Sequence, residues 1–578
     1  MHTLLYPPSR LRAALFAVLA AAIALPLSAQ RSASLYPPIT TTGTSLEVTA
    51  DPLVARPHTR QHCEVALLAD QAFADFNHKN FSYTPPADCP GPWAKVIFTG
   101  DFSIDAGVQF DRTGQVFLGG VDIYFGTTAE PLQNETDTWH VERDVTDYSS
   151  LFKTPQSGFA HLDNLVSPTY TSIIHGTFKL EFYQADFGNP APVTADIVSP
   201  VQDSGGNSYF NVYSSAPVTQ SFTLPRNVER AYLDVVAQSQ NAEEQWFLCV
   251  PNDIAGPLGD CQNTAFREVE ITVDGKPAGV APVYPWIYTG GLDPFLWIPI
   301  PGVQTLNFVP YRVDLTPFAG TLDDGQPHTV GVAVYNAYSY FTVTAQLLAF
   351  EDHARKEISG ALTADTLTAP DPTVTNTVNL NSSGQGSGTV TVTNRHNFKI
   401  SGYVDTSHGH VETTVDQQVN FNSVANIVSA ATTYTQDNVQ TSTVHSKTTT
   451  SDGWFFTTNE SDFSFPITVN QLVTFESNGN ISIATSLDQK YQRDETRTLE
   501  GFPIYESHVI NEVTPTDTFT LISLGGGNYE VGSNSGQSNE QKYFFRDSLG
   551  TCYSRELKAA NNVLDTVTDG AACHDRDR

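Results

Sequence analysis

Short runs in which apolar and polar residues alternate, separated by turn residues, recur along most of this chain of 578 residues. Residues 94–98, 115–118 and 121–125 follow this pattern, and Asp274-Gly275 joins two further runs. A period of two is that of a half-buried strand, and Asp-Gly between two strands is typical of a tight hairpin. Charged residues make up only 16% of the chain, whereas Thr, Val, Ser and Asn are frequent. The sequence therefore predicts an all-β fold with few helices.

Changes in composition divide the chain into three predicted β regions. Residues 45–195 and 215–352 each have the strand density of a β-sandwich, and a stretch that carries Pro and Gly (188–207) separates them. Residues 353–578 are rich in Thr, Ser, Asn and Val. We expect a long, repetitive sheet there, with a structural or an interaction role, because nothing in this region concentrates titratable groups.

The N-terminus has the features of an export signal. Arg10 and Arg12 flank the start of an apolar run at 11–27, and residues 27–29 (Leu-Ser-Ala) offer a small-residue cleavage site. We predict a signal peptide over residues 1–29 and a secreted or periplasmic mature protein that is not attached to a membrane. The alternative is an uncleaved anchor, for which the apolar run is short.

Six cysteines fall into three pairs of sequence neighbours. The pairs are Cys63 with Cys89, Cys249 with Cys261, and Cys552 with Cys573. An oxidising compartment allows all three to close, and short loops favour neighbours over distant partners. Metal binding is the weaker alternative, because no pair has CxxC spacing and no histidine cluster lies beside one.

Charge and motifs exclude several classes of function. Acidic residues outnumber basic residues 62 to 30, which disfavours binding to nucleic acids and to anionic membranes. The sequence lacks GxSxG, a P-loop, HExxH and a GxGxxG that follows a strand. Carboxylates are the remaining candidates for chemistry, and we predict neither a metal nor another cofactor.

The most informative segment is Phe110-Asp111-Arg112, a charged pair inside apolar strand sequence. Such a pair either forms a structural salt bridge or faces a polar cleft, because burial without a partner is unfavourable. It belongs to an ordered set of segments: 118–121 (Leu-Gly-Gly-Val), 128–131 (Thr-Ala-Glu-Pro), 139–148 (Trp-His-Val-Glu-Arg-Asp-Val-Thr-Asp-Tyr), 288–291 (Tyr-Thr-Gly-Gly) and 314–318 (Asp-Leu-Thr-Pro-Phe). This set resembles the acid peptide-N-glycosidases of the A type.

The resemblance implies a fold and an activity. It implies two side-by-side jelly-roll sandwiches that bind a glycan where they meet. It also implies hydrolysis of the bond between asparagine and the first N-acetylglucosamine of N-glycosylated peptides or proteins, which leaves aspartate. In the related F-type enzymes the essential aspartate lies in a Trp-Asp-Arg segment, so the resemblance points to Asp111 here.

The second carboxylate is open among Glu243, Glu244 and Glu268. Glu244 lies beside Trp246 and ahead of Cys249, in a loop suited to cover a sugar site, although a surface acidic loop is equally typical. Alternation places Glu268 on the face of its strand opposite to the apolar residues, which is ordinarily a solvated face.

Amide hydrolysis requires an activated water, donors for the oxyanion and a proton for the leaving amine. We expect Asp111 to orient or deprotonate the water, and Arg112 or Arg267 to stabilise the oxyanion. Glu268 or Glu244 then supplies the proton. The net charge of −32 favours retention of a proton by one catalytic carboxyl, and Arg112 should give Asp111 the lower pKa of the pair, so that Asp111 is ionised and the glutamate is protonated. Loss of the glutamate proton predicts activity that peaks at about pH 4–6 and falls towards neutrality.

Three residues are candidates for substrate contact: Trp246 and Trp297 as sugar-stacking platforms, and Glu130. Buried tryptophans in a sandwich core are at least as common as exposed platforms. Two other functions compete with the amidase: a non-catalytic glycan-binding or adhesion protein, and a glycoside hydrolase with two carboxylates.

Overall fold

The computed structural model describes residues 35–38, 41–213 and 217–574. The predicted signal peptide (1–29) lies outside these residues. Within them, strands dominate, and the predicted all-β class with two sandwiches and a C-terminal β region is confirmed.

The first sandwich has eight strands in two sheets. They are β1 (His62–Phe73), β2 (Lys79–Tyr83), β3 (Trp93–Ile104), β4 (Thr113–Leu118), β5 (Val121–Thr127), β6 (Asp137–Asp144), β7 (Gln156–Leu162) and β8 (Ile174–Gln184). The sheets have the orders β1-β8-β3-β6 and β2-β7-β4-β5. Aromatic side chains such as Phe98, Trp139 and Phe182 fill the core between them.

The second sandwich repeats this architecture. Its strands are β9 (Ile197–Pro200), β10 (Tyr209–Val212), β11 (Val218–Phe222), β12 (Val228–Gln240), β13 (Glu268–Val273), β14 (Lys276–Pro282), β15 (Tyr311–Asp314), β16 (His328–Tyr335) and β17 (Tyr340–Glu351). The orders β10-β17-β12-β15 and β11-β16-β13-β14 match the first sandwich strand for strand, with β9 added beside β17. Both are therefore jelly rolls. Asp274 and Gly275, at φ 51° and 74°, form the predicted turn between β13 and β14.

A single sheet of 13 strands forms the C-terminal region. Its strands are β18 (Gly360–Asp365), β19 (Thr373–Asn376), β20 (Asn379–Leu380), β21 (Gly386–Thr406), β22 (Gly409–Ser429), β23 (Thr433–Ser451), β24 (Phe456–Phe475), β25 (Ile481–Leu499), β26 (Phe502–Val513), β27 (Thr516–Gly525), β28 (Asn528–Asp547), β29 (Cys552–Ala560) and β30 (Val563–Asp569). The main order is β18-β21-β22-β23-β24-β25-β26-β28-β29-β30.

One face of this large sheet covers the second sandwich. Phe421 packs edge-on against Phe266, and Phe465 packs edge-on against Tyr284, with ring centroids 5.1 Å apart in both pairs. Side chains from both regions form one continuous hydrophobic core. The second sandwich is therefore covered on a face that an isolated sandwich would leave to solvent.

Helices are short and few in the described residues. They are α1 (Asn252–Leu258), α2 (Ala319–Leu322) and α3 (Ala571–His574), with 3-10 turns at Thr146–Tyr148, Leu151–Lys153, Asn241–Glu243, Trp246–Leu248, Pro294–Trp297 and Thr316–Phe318. Among the described helices, none has the length and hydropathy needed to cross a membrane.

All three predicted disulfides are confirmed. They join Cys63 to Cys89, Cys249 to Cys261, and Cys552 to Cys573. Each bond lies within one region of the chain, so the three regions are linked by packing and by the chain itself.

Candidate active site

The hairpin formed by β4 and β5 brings Asp111 and Glu130 together. Its turn is Gly119-Gly120, where both residues have positive φ, and its open end lies just beyond Thr113 and Thr127. Asp111 precedes the first strand and Glu130 follows the second, so the Asp111 N–H donates to Glu130 Oε2 at 3.1 Å. Counting equally outward from the two glycines pairs Asp111 with Thr128, so the sequence indicates only that Glu130 lies near Asp111, two residues further along.

The second sandwich also contributes to this site, through its residues Thr289 and Gly290. The Gly290 N–H donates to Asp111 Oδ2 at 3.2 Å, and Thr289 Oγ1 donates to the Thr128 carbonyl at 2.7 Å. A Cβ at position 290 would collide with Glu130 Oε2 and approach Asp111 Oδ1 to 3.2 Å. Glycine allows the backbone to pass directly against two carboxyl groups here.

Glu244 completes a cluster of three acidic side chains, which we call the carboxyl cluster (Asp111, Glu130 and Glu244). It follows the 3-10 turn at the end of β12 and is partly buried. Burial, and then the negative charge of Asp111, raise the pKa of Glu244 to about 7. The same two causes raise the pKa of Glu130 to about 8. Like charges this close do not all ionise, so the cluster retains protons near neutrality.

Asp111 is the member of the cluster that accepts a hydrogen bond from the Gly290 N–H of the second sandwich. Burial raises its pKa, whereas the Gly290 N–H and the Arg112 guanidinium oppose that shift by favouring the carboxylate. The net direction is upward, because burial outweighs both favourable contacts. That Asp111 has the lower pKa of the catalytic pair stays a prediction.

A cleft of about 570 Å³ opens beside the cluster. Its lining residues are Phe76, Asp111, Arg112, Thr113, Asp163, Leu165, Tyr170 and Gln240. The Arg112 guanidinium carbon lies 5.4 Å from the Tyr170 ring centroid and 6.0 Å from that of Phe110. Its Nε is buried and has no hydrogen-bond partner in the described part of the chain. The Arg112 Nη1 donates to the Asp111 carbonyl at 3.4 Å. Aromatic rings beside a guanidinium suit a polar ligand with apolar faces, such as a sugar.

The model for the family described as peptide N-acetyl-beta-D-glucosaminyl asparaginase amidase A matches residues 52–367, more than half of the chain. The chain belongs to this family. Peptide-N4-(N-acetyl-beta-glucosaminyl)asparagine amidase A from Prunus dulcis is 32% identical over 326 residues, which cover 53% of this chain and 57% of that enzyme. The alignment therefore spans little more than half of the relative.

Solved structures of F-type enzymes resemble parts of the chain only loosely. PNGF-II aligns with a TM-score of 0.34 and 14% identity, over 50% of this chain and 65% of its own. PNGase F from Flavobacterium meningosepticum aligns with a TM-score of 0.32 and 15% identity, over 50% of this chain and 96% of its own.

Two predicted site residues form a separate buried pair within this member of the amidase A family. Arg267 Nη2 lies 2.9 Å from Glu243 Oε2, and both side chains are fully buried. Arg267 Nη1 also donates to the carbonyls of Thr264 and Phe266, at 2.8 Å each. The expectation that Arg267 reaches an oxyanion is corrected, because its guanidinium is already committed to fixing the disulfide-linked loop.

Glu268 contacts the C-terminal sheet and not the carboxyl cluster. Its Oε1 lies 3.1 Å from His396 Nδ1 on β21, and both residues are buried. Alternation correctly places Glu268 opposite to Val269, but that face is not solvated. The large sheet covers it, which corrects both the expected exposure and the expected role as proton donor.

The two tryptophans are core residues. Trp246 is 1% exposed and Trp297 is 0% exposed, and Trp297 Nε1 donates to the Gly291 carbonyl at 2.8 Å. Neither offers a face to a sugar, so the stacking hypothesis is corrected for both. The exposed rings of Phe76 and Phe110 beside the cleft were missed, because the sequence does not reveal which loops meet.

A possible metal-binding group lies elsewhere. Within the described residues, His445, Glu460 and Asp462 bring ligand atoms within 4.8 Å of one another, on β23 and β24 of the C-terminal sheet. Lys447 Nζ, at 3.4 Å from Glu460 Oε2, already neutralises part of this group. It shares no residue with the carboxyl cluster.

Proposed function

We propose that this protein hydrolyses the amide bond between asparagine and the first N-acetylglucosamine of N-glycosylated peptides or proteins, giving aspartate and a released glycosylamine. The carboxyl cluster carries the proposal, because it combines a carboxylate with dedicated partners and neighbours that hold protons near neutrality. Membership of the amidase A family and the cleft beside the cluster support it.

In the proposed reaction a water molecule attacks the carbonyl carbon of the side-chain amide. Asp111, ionised with the help of Gly290 and Arg112, orients this water and accepts its proton. The carbonyl oxygen becomes an oxyanion, and the guanidinium of Arg112, which lines the cleft, is the proposed donor for it. The carbon–nitrogen bond then breaks as the nitrogen takes a proton.

Glu244 is the proposed donor of that proton. Its pKa is raised to about 7, so the Glu244 carboxyl keeps its proton at pH values below about 7. Glu130 is the proposed positioning residue, since its carboxyl accepts the Asp111 N–H and so fixes the start of β4. Phe110 and Tyr170 would hold the apolar faces of the glycan, which replaces the role first given to the two tryptophans.

We also propose export through the predicted signal peptide. The three disulfides support an oxidising location, outside the cell or in the periplasm. An acidic pH optimum stays a prediction. The raised pKa of Glu244 sets its alkaline limit near pH 7, and the raised pKa of Asp111 sets its acid limit above the ordinary aspartate value of 3.8.

The deciding experiment is mass spectrometry of a denatured N-glycopeptide after incubation with the protein. Free glycan together with conversion of asparagine to aspartate supports the amidase. Sugar release that leaves asparagine or asparagine-linked N-acetylglucosamine identifies a glycoside hydrolase. Binding of the glycopeptide without any product identifies a glycan-binding protein, and either of the last two results rejects the proposal.

A further inference from the structure

Two irregular segments of the second sandwich carry groups of the proposed active site. The glutamate segment (241–249) contains Glu244, and the glycine segment (285–303) contains Gly290. Both lack strands and contain only 3-10 turns among their described elements. Their backbone polar groups therefore need partners other than a β-ladder, because buried backbone groups are almost always hydrogen-bonded.

Side-chain amides of the C-terminal sheet provide partners for the glycine segment. Asn539 Nδ2, on β28, donates to the carbonyls of Leu296 at 3.0 Å and of Ile300 at 2.9 Å. Gln537 Nε2 on the same strand donates to the Ile298 carbonyl at 3.0 Å. Both amides are 2% exposed, so water does not compete effectively for these bonds.

Two further side chains of the C-terminal sheet act on the glycine segment, one at its two ends and one in its middle. Gln489 on β25 accepts from the Val303 N–H at 2.9 Å and donates to the Pro285 carbonyl at 2.7 Å. Asp517 on β27 acts on Asp293, because burial followed by the charge of Asp517 raises the pKa of Asp293 to about 8. This pair of carboxyl groups therefore retains a proton near neutrality.

The same sheet also holds the glutamate segment. Asn438 Nδ2 on β23 donates to the Phe247 carbonyl at 2.8 Å, and Gln436 Nε2 donates to the Leu248 carbonyl at 2.9 Å. These carbonyls lie three and four residues after Glu244. One sheet thus contacts both segments through buried amides of the same chemical type.

Backbone conformation is unusual at three positions in or beside these segments. Leu292 has φ 65° and Gln304 has φ 60°, at or beside the glycine segment, and Asn241 has φ 55° in the glutamate segment. Side chains other than glycine rarely adopt this left-handed region unless surrounding contacts impose it. The amides of the C-terminal sheet are contacts of that kind.

We propose that the C-terminal sheet is a positioning element of the active site, which sets the Gly290 amide against Asp111 and the Glu244 carboxyl beside it through Asn438 and Asn539. The inference rests on the proposed function and assigns a role to the region beyond residue 367, where the family match ends. Displacement of a catalytic group by about 1 Å can reduce turnover by about 10²-fold.

A positioning role differs from simple adhesion between regions in its effect on pH dependence. The Gly290 N–H lowers the pKa of Asp111. If Asn539 stops holding the glycine segment, this hydrogen bond weakens and the pKa of Asp111 rises. The acid limb of the pH–rate profile then moves to higher pH, which loss of stability alone does not cause.

The test compares Asn539→Leu and Asn438→Leu with Asn511→Leu. Asn511 is a matched control on β26: it is 1% exposed, and its Nδ2 donates to Asp51 Oδ1 at 2.7 Å, away from both segments. Turnover and KM on a denatured glycopeptide, the pH–rate profile, the melting temperature, and hydrogen–deuterium exchange of residues 285–303 are measured for each variant. Serine replacements at the same positions serve where a leucine variant does not fold.

We expect Asn539→Leu to lower kcat by at least about tenfold, move the acid limb upward and accelerate exchange of the glycine segment. Asn438→Leu should lower kcat because Glu244 is displaced. The control Asn511→Leu should change neither kcat nor the acid limb, even when its melting temperature falls by the same amount. Restoring an amide with Asn539→Gln should recover part of kcat. Equal kcat and an unmoved acid limb in the Asn539 and Asn511 variants would overturn the inference.

Wild-type activity and segment exchange together distinguish failure of this inference from failure of the proposed function. If the wild-type protein releases no glycan, the proposed function fails, and the catalytic role inferred for the sheet fails with it. If the wild-type protein is active and Asn539→Leu leaves both kcat and segment exchange unchanged, only the inference fails.

Discussion

Replacing Gly290 by alanine is the most direct probe of the carboxyl cluster. The added Cβ would overlap Glu130 Oε2, so the backbone or the carboxyl group must move by about 1 Å, and Asp111 Oδ1 lies only 3.2 Å from the same position. A shift of that size is expected to reduce kcat by about 10²-fold. The hydrogen bond from the Gly290 N–H to Asp111 weakens at the same time, which raises the pKa of Asp111.

The assay is glycan release from a denatured glycopeptide, followed as kcat and KM over a range of pH, together with the melting temperature. Gly291→Ala is the neighbouring control. Its Cβ would lie 3.0 Å from Ile287 Cγ2 and 3.2 Å from the Tyr288 carbonyl, contacts that need shifts of only a few tenths of an ångström. A folded Gly290→Ala protein with turnover equal to that of the control would refute the assignment of this glycine to the site.

Three further predictions follow from the same geometry. Asp111→Asn should lower kcat by about 10²–10⁴-fold without unfolding the protein, and a folded variant with normal turnover would contradict the proposed base. Glu244→Gln should remove the alkaline limb near pH 7 along with most of the activity, whereas an unchanged limb in the pH–rate profile would assign it to another group. Burial raises the pKa of Glu130 and of Asp293 to about 8, so the unfolded chain loses these protons first as pH rises. Calorimetry should therefore show a higher melting temperature at pH 5 than at pH 8, because the unfolding free energy falls by up to about 1.4 kcal/mol per pH unit for each such group; an equal or lower value at pH 5 would contradict this.

The sequence was sufficient for the local architecture and for one side of the site. Alternation identifies the strands, Asp274-Gly275 identifies a hairpin, and the cysteine spacing identifies three disulfides. The segment around Asp111 was singled out by its charged pair in apolar sequence and by its resemblance to the A-type family. These features depend on residues that are close together in the chain.

The second carboxylate could not be chosen from the sequence, because the choice depends on which loops meet. Glu243, Glu244 and Glu268 are equivalent as acidic residues near strand ends. Glu243 is buried against Arg267 and has a structural role. Glu268 is buried under the C-terminal sheet, where it contacts His396 on β21. Of these three, Glu244 is the one whose pKa is raised by burial and then by the charge of Asp111.

The burial of Asn and Gln side chains in the C-terminal region also could not be predicted from the sequence. A period of two indicates which residues share a face of a strand, but Asn and Gln on one face ordinarily indicate solvent. Here Asn438 and Asn539 are 0% and 2% exposed, because they pack against irregular segments and donate to backbone carbonyls there. A hydrophobic face would leave those carbonyls without donors, at a penalty of about 1–3 kcal/mol for each. Amide-rich strands are therefore what a sheet needs when it packs against loops, and the loops it packs against here carry Glu244 and Gly290.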